Sequence, residues 1–254
     1  MKRGGFGLFA SVIAPALALT ALIGATLTIS VASVRGQRTE SIPQVFTYST
    51  IECGQSAGSR LDQITERAIP VLDRAGATTY AVWTPAAAPK DAPFEGLTPK
   101  QVVLMAAWPD GRVDAARLDS GLKSLDGITA VHTEVLESIY LAGGLSVPTG
   151  TGFYVHREEL YRPSDVDEVV RLSREAWRTW EPAWGTRVVG LFRKRVASSE
   201  TARLLRIAWY RDFEHWTETR QVSRDPESAK RFEARSKLEL KGSGRAVATD
   251  RLIK

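Results

Sequence analysis

After residue 43 the hydrophobic pattern alternates between segments with a period of about two residues and segments with a period of about 3.6 residues. Stretches such as QVFTYSTI, TTYAVWTP and QVVLMAAW alternate apolar and polar residues or form short apolar runs, which predicts β-strands. Apolar residues recur three or four apart between Ser59 and Gly76, which predicts a helix with Ser59 as its cap and Gly76 as its stop. With a second short helix and a fourth strand, the predicted order is strand, helix, strand, strand, helix, strand.

The same order recurs after a linker rich in turn-forming residues, GGLSVPTG, at residues 143–150. The strand GFYVHREELY is followed by a helix that Ser164 opens, and then by the strands TRVVGLFRKRV and ETARLLRIAWY. One long helix, interrupted by the proline after Asp225, and a weak last strand complete the unit. Trp108 and Trp209 stand at equivalent places in the two units, which indicates a duplication.

The periodicity therefore predicts an α+β protein made of two tandem βαββαβ repeats. The first repeat covers residues 44–142 and the second covers residues 150–254. In such a unit the first and third strands are central neighbours and the helices cover one face of the sheet. Because the two repeats can cover each other's bare sheet surfaces, we expect a monomer that acts as its own pseudo-dimer.

The first 40 residues differ from the rest of the chain. Residues 4–34 contain no charged residue and are long enough to cross a hydrocarbon core about 30 Å thick. Lys2 and Arg3 precede this stretch, as in export signals and in anchors whose amino end stays in the cytoplasm. We therefore expect residues 1–40 to form a signal peptide or a transmembrane anchor with a polar link. The folded part would then lie outside the cytoplasm, held at the cell membrane, or secreted or periplasmic after cleavage.

Composition excludes several classes of function. The formal net charge is +5, but Lys2, Arg3 and Arg35 supply three of these charges, which removes the main support for nucleic-acid binding. The 254 residues include one cysteine, Cys53, so no disulfide forms within the chain. The three histidines are scattered and lack the spacing of a metal site, so no metal ligands are predicted.

A resemblance to a known family is concentrated at residues 203–239. There the strand end IAWY, the Trp-bearing helix RDFEHWTETR and the Asp-Pro-led helix DPESAKRFEARSKL follow the order of a NIPSNAP-type domain. More broadly, both units resemble the dimeric α/β-barrel superfamily, in which two ferredoxin-like units join their sheets. The resemblance implies a tandem ferredoxin-like barrel. The first unit departs from the motif, since AWPDGRVDAARLD lacks the second Trp and the Arg-rich run.

Strand alternation identifies candidate ligand-lining residues, because successive side chains point to opposite faces of a sheet. The more apolar set of the second unit is expected to face the helices: Phe153, Val155, Leu205 and Ile207. The opposite set, expected to face a cavity between the sheets, is Tyr154, His156, Arg206 and Ala208, joined from the first unit by Thr47, Ser49, Val103 and Met105. Tyr154, His156 and Arg206 are thus the candidate lining residues.

Each of the two candidates with titratable chemistry has a structural alternative. His156 could shuttle protons, or ligate haem iron as a histidine does in some relatives with this fold, or simply be a hydrogen-bonded residue near a strand end. Arg206 could bind a substrate carboxylate or pair with a carboxylate of the protein. The sequence assigns no catalytic residue. His215 is expected at the surface or at a helix cap, while Trp216 is expected in the core.

Two functions remain open at this point. The first is a NIPSNAP-like module, tethered to the membrane through residues 4–34 or exported, that binds a protein or a small molecule. The alternative is an enzyme of the dimeric α/β-barrel type, a small monooxygenase or a haem-binding protein, with a pocket between its sheets. The first function needs no cofactor, whereas the alternative admits haem.

Overall fold

The computed structural model describes residues 44–54, 57–86, 92–94, 97–142, 150–195, 200–240 and 245–252. They belong to one unit, Ser41–Lys254. The predicted signal or anchor at residues 1–40 lies outside the described residues. None of the helices in the described ranges combines the length and the apolar composition that a membrane span requires.

The elements follow the predicted βαββαβ order twice. In the first repeat they are β1 (Val45–Cys53), α1 (Ala57–Arg74), β2 (Thr78–Pro85), β3 (Gln101–Trp108), α2 (Ala115–Lys123) and β4 (Ile128–Leu141). In the second repeat they are β5 (Phe153–Tyr161), α3 (Val166–Trp184), β6 (Arg187–Lys194), β7 (Ala202–Tyr210), α4 (Phe213–Glu218), α5 (Pro226–Ser236) and β8 (Arg245–Leu252).

Aspartate caps begin three of these helices, and each satisfies a backbone N–H that the helix itself leaves without an acceptor. Asp114 accepts a hydrogen bond from the backbone of Arg117 at 2.9 Å, and Asp212 accepts one from His215 at 2.7 Å. Asp225 caps α5 in the same way and precedes its first residue, Pro226. The single long helix expected in this region is therefore two helices, α4 and α5, because Asp225 and Pro226 start a new one.

The eight strands form one closed antiparallel barrel in the order β1-β3-β2-β8-β5-β7-β6-β4. Within each repeat the order is that of a ferredoxin-like unit, with the first and third strands in the centre. The two repeats join along two seams, where β2 pairs with β8 and β4 pairs with β6. The sheets therefore meet by hydrogen-bonding their edges, and closure leaves no strand edge open among the eight.

Three apolar clusters fill this architecture. The inner cluster occupies the barrel interior and draws on both repeats, with Phe46, Trp83, Met105, Tyr154, Phe192 and Ile207 among its members. The first outer cluster packs β1 and β3 against α1 and α2. The second outer cluster packs β5 and β7 against α3 and α4, and contains Trp177, Trp180, Trp184 and Trp216. Two faces of the sheet can therefore carry a site, the inner face and the helix-covered outer face.

Candidate functional site

His156 lies on the inner face, near the middle of the barrel. Its Nδ1 atom is 2.8 Å from the hydroxyl of Tyr48, and its ring packs edge-on to Trp83 with centroids 4.6 Å apart. The side chain is 2% exposed, and burial lowers the pKa of His156 to about 3, because a charged imidazole there would lose its hydration. His156 is therefore neutral at physiological pH.

Tyr154 shares the inner face with His156. Its side chain is fully buried, packs against Trp83 and donates a hydrogen bond to the carbonyl of Gly150 at 2.6 Å. These contacts hold the ring inside the barrel, with its hydroxyl directed at the segment that precedes β5.

Arg206 lies on the opposite face, so the prediction that it shares a face with Tyr154 and His156 is wrong. In an antiparallel pair, directly opposed residues point to the same side. The register of β5 and β7 opposes Arg206 to Arg157, and it opposes His156 to Ile207. The prediction assigned the more apolar residues of each strand to the helix side, and for β7 this placed Leu205 and Ile207 on the wrong face.

The same register corrects the other predicted facing residues. Leu205 and Ile207 belong to the inner cluster, whereas Ala208 packs in the second outer cluster. Thr47 also lies on the helix side, where its hydroxyl accepts a hydrogen bond from Trp108 Nε1 at 3.1 Å. Ser49 follows the same strand parity as Thr47. The inner cluster does contain Val103, Met105 and Tyr154, as the strand alternation predicts.

A second polar group lies on the inner face, at the seam between β4 and β6. The ammonium group of Lys194 is 2.7 Å from a carboxylate oxygen of Glu134 and also contacts the carboxylate of Glu158. Lys194 is 7% exposed. One carboxylate belongs to the first repeat and the other to the second, so the lysine links the repeats.

The outer face of the second repeat carries a cavity of about 600 Å³, which we call the arginine pocket. It lies between β5 and β7 on one side and the end of α3, the segment after α4, and α5 on the other. Its polar lining includes Arg157, Arg206, Arg220, Arg235, Asp225, Lys230, Glu233 and Glu239, and its aromatic lining is Trp180, Trp184, Tyr210 and Phe232. The volume is within the range of small-molecule sites.

Glu159 anchors three of the four arginines at the base of the arginine pocket. Its Oε1 atom lies 2.8 Å from Arg157 Nε, 3.3 Å from Arg235 Nη2 and 3.8 Å from Arg206 Nη2. Tyr161 donates a hydrogen bond to the other carboxylate oxygen at 2.7 Å. Burial alone would raise the pKa of Glu159, but the three guanidinium groups and the Tyr161 hydroxyl outweigh it and lower the pKa to about 2.

The fourth arginine, Arg220, is held differently. Its guanidinium lies over the ring of Trp216, 5.1 Å from the centroid, and hydrogen-bonds the side chain of Tyr210. In the described part of the chain no carboxylate lies within ion-pair distance of Arg220. Desolvation is the main cause that lowers the pKa of both Arg220 and Arg235, and the neighbouring Arg206 and Arg157 add repulsion.

Aromatic rings form the apolar wall of the pocket. Trp180 packs edge-on to Tyr210 at 6.0 Å and to Phe232 at 5.7 Å between centroids. Helical spacing along α3 places Trp177, Trp180 and Trp184 on one buried face, as a core stripe requires. Trp180 and Trp184 thus belong both to the core and to the pocket lining.

His215 is buried, so the prediction of a surface position is wrong, whereas the alternative of a cap residue agrees with the backbone groups that its ring contacts at two helix ends. Its Nε2 atom is 2.6 Å from the carbonyl oxygen of Trp184, and its Nδ1 accepts a hydrogen bond from the backbone of Arg211 at 3.0 Å. The ring therefore links the start of α4 to the end of α3. Trp216 is in the core, as the apolar spacing predicts.

The residues of these sites do not fit haem. His156 is enclosed by inner-cluster side chains and its Nδ1 is bonded to Tyr48, while both nitrogens of His215 are engaged. Among the described residues that line the arginine pocket, none is a histidine or a cysteine. Across the described ranges, no group of three or more His, Cys, Asp or Glu side chains could hold a metal ion.

No protein-family model matches the chain, and no curated protein matches its sequence. Solved structures do share its fold. An anthrone oxidase-like protein aligns with a TM-score of 0.54 and 11% identity, over 83% of this chain and 92% of that one. A proposed monooxygenase from Lactobacillus acidophilus NCFM aligns with a TM-score of 0.50 and 9% identity, over 83% and 94%. A chlorite dismutase variant from Candidatus Nitrospira defluvii aligns with a TM-score of 0.50 and 8% identity, over 83% and 91%.

These similarities show the fold. The chain has an α+β architecture in which two ferredoxin-like units close into one barrel, and these solved structures share that fold. Fold alone does not define chemistry, which depends on the site.

Proposed function

We propose that the protein binds a small organic molecule in the arginine pocket of its second repeat. The observation that carries this proposal is a cavity of about 600 Å³ in which several guanidinium groups face an aromatic wall. Ligand sites typically combine a mostly apolar lining with a few polar groups that fix orientation. The inner face has a different character, because its central side chains are packed against one another and fully buried.

Filling the pocket tests this proposal. Ala229 lies on α5 and lines the cavity, so the indole of Ala229→Trp would occupy the space a ligand needs. Wild-type protein is titrated with a panel of small ring compounds, and binding is followed by calorimetry and by the total tryptophan fluorescence, to which Trp180 and Trp184 of the pocket contribute. We expect Ala229→Trp to abolish binding. The matched control is Ala116→Trp, at an exposed position of α2 in the first repeat, which should bind as wild type does.

Oxidation of the bound molecule is the second candidate function. The support is that two of the similar folds are described as an anthrone oxidase-like protein and a proposed monooxygenase. Oxygen consumption with each compound that binds, compared between wild type and Ala229→Trp, tests it. Consumption that is equal in the two proteins would contradict a reaction in this pocket.

The closer relationship to NIPSNAP domains stays a proposal that rests on the motif at residues 203–239. Membrane attachment or export through residues 4–34 is likewise a proposal, supported by the uncharged stretch and the preceding basic residues. Cell fractionation, with protease added to intact cells, tests both the attachment and the side on which the folded part lies. The monomeric state is tested by the solution mass of the chain without residues 1–40.

A further inference from the structure

The charge on the floor of the arginine pocket is not balanced by the carboxylate buried there. Arg157, Arg206 and Arg235 share the carboxylate of Glu159, and only Arg157 has a second carboxylate within ion-pair distance among the described residues, that of Glu239 at 3.8 Å. Arg220 lines the same cavity, and no described carboxylate lies within ion-pair distance of it. Placing like charges together in a partly desolvated site is unfavourable unless something compensates them. The floor therefore presents an excess of positive charge to whatever enters.

A guanidinium donor on this floor lacks an acceptor. Nε of Arg235 is buried and makes no hydrogen bond among the described residues, although the residue is only 7% exposed. Nη2 of the same guanidinium contacts Glu159, and Nη1 lies 3.5 Å from the hydroxyl of Ser173. These two contacts hold the guanidinium in place, while its Nε–H stays without an acceptor. Buried donors without a partner are uncommon in proteins, and each one calls for an explanation such as a bound water, ion or ligand.

The rest of the lining limits the charge and shape of the molecule. Acidic side chains of Asp225, Glu233 and Glu239 also line the cavity, and they would repel a polyphosphate several times more strongly than a molecule with a single negative charge. Trp180 and Tyr210 offer ring faces and edges next to the arginines. Guanidinium groups bind carboxylates with paired, planar hydrogen bonds.

We propose that the ligand of the arginine pocket is an organic acid with one carboxylate and a flat, apolar ring body. The carboxylate binds between Arg220 and Arg235, and the ring packs on the wall formed by Trp180 and Tyr210. This inference rests on the proposed function, because it specifies the chemistry of the molecule bound in the same cavity.

Pairs of acids and their neutral amides test the inference. Benzoate, naphthoate and indole acetate are each compared with benzamide, naphthamide and indole acetamide in calorimetric titrations of the wild-type protein. At least one acid should bind about tenfold more tightly than its amide, as expected when one charge-assisted interaction is lost. Equal affinity of acids and amides would overturn the inference while leaving the proposed function standing. No binding by any acid or amide would overturn both.

A variant locates the carboxylate. Arg220→Gln removes one charge from the pocket lining and should weaken binding of the acid about tenfold while changing binding of the amide little. Arg174→Gln is the matched control, because Arg174 also lies over an aromatic ring, that of Tyr140, but does not line the pocket. Unchanged acid binding in a folded Arg220→Gln protein would overturn the assignment of Arg220. Thermal unfolding establishes that both variants are folded.

Discussion

The hydroxyl of Tyr48 lies 2.8 Å from Nδ1 of His156 and joins the first repeat to the second across the barrel interior. Tyr48 belongs to β1 and His156 to β5, which are not neighbours in the barrel. Both side chains are buried, at 8% and 2% exposure. A buried hydrogen bond affects stability mainly through its loss, because the remaining polar group then keeps the cost of its desolvation without a partner.

Tyr48→Phe should therefore lower the free energy of unfolding. The change removes the hydroxyl and keeps the ring, so the loss should be about 1 to 3 kcal/mol, the cost of weakening a buried polar contact. Urea unfolding measures it. Tyr140→Phe, at a half-buried ring of β4, is the control and should cost less. An equal loss in the two variants would mean that the contact with His156 is not the source.

The buried imidazole should also make stability depend on pH. The pKa of His156 falls from its ordinary value of 6.5 to about 3 on folding, so between these values the unfolded chain binds more protons than the folded one. The free energy of unfolding should then fall as the pH drops from 6.5 towards 3, by at most about 1.4 kcal/mol per pH unit.

His156→Gln isolates this effect, because glutamine does not titrate. The stability difference between wild type and His156→Gln, measured by urea unfolding at several pH values, should shrink as the pH falls below 6.5. Glu159 titrates in both proteins and cancels from the comparison. A difference that stays constant down to pH 4 would contradict a buried neutral His156.

The order of elements could be predicted from the sequence because each strand and helix carries its own period. Pairing between strands could not, and this is where the prediction for Arg206 failed. Arg206 and Ile207 differ by one position, and only the alignment of β7 against β5 decides which of them faces the helices. The parity of Tyr154 and His156 was easier to assign, since their neighbours Phe153 and Val155 are strongly apolar.

The arginine pocket was missed for a related reason. Its arginines come from β5, β7, the segment after α4, and α5, so nothing in their spacing brings them together. Arg220 and Arg235 did lie within the motif at residues 203–239, and Glu159 stood two residues after Arg157. A buried carboxylate on a strand requires positive partners. That requirement was the signal from which the cluster could have been inferred.

Glu159→Gln should destabilise the second repeat strongly. The change leaves Arg157, Arg206 and Arg235 without their shared counter-charge, and breaking a buried ion pair typically costs about 3 to 5 kcal/mol. Urea unfolding monitored by tryptophan fluorescence measures the loss. Glu168→Gln breaks an exposed ion pair with Arg171 and serves as the control, with no measurable change expected. A small effect of Glu159→Gln would show that the arginines do not depend on it.

Lys194→Met should open the seam between β4 and β6. Without the ammonium group, the carboxylates of Glu134 and Glu158 repel each other at the end of the barrel. Because these carboxylates are partly exposed, we expect a loss of about 2 to 3 kcal/mol rather than the full cost of a buried pair. Chemical denaturation at neutral pH provides the measurement.

A charge-free combination is the control for this seam. Replacing both glutamates by glutamine in the Lys194→Met background removes the repulsion and should recover most of the stability. If the triple variant is no more stable than Lys194→Met alone, the methionine itself, rather than the carboxylates, is the cause.

Because the barrel closes within one polypeptide, the sequences of its two halves can change independently of each other. In a barrel built from two identical chains, every substitution appears twice, once on each side of the symmetry axis. Here each substitution appears once. The second repeat can therefore carry a cluster of arginines around a carboxylate, while the corresponding strands of the first repeat carry the contact between Trp108 and Thr47. The two repeats differ in this way although their strands form one closed barrel.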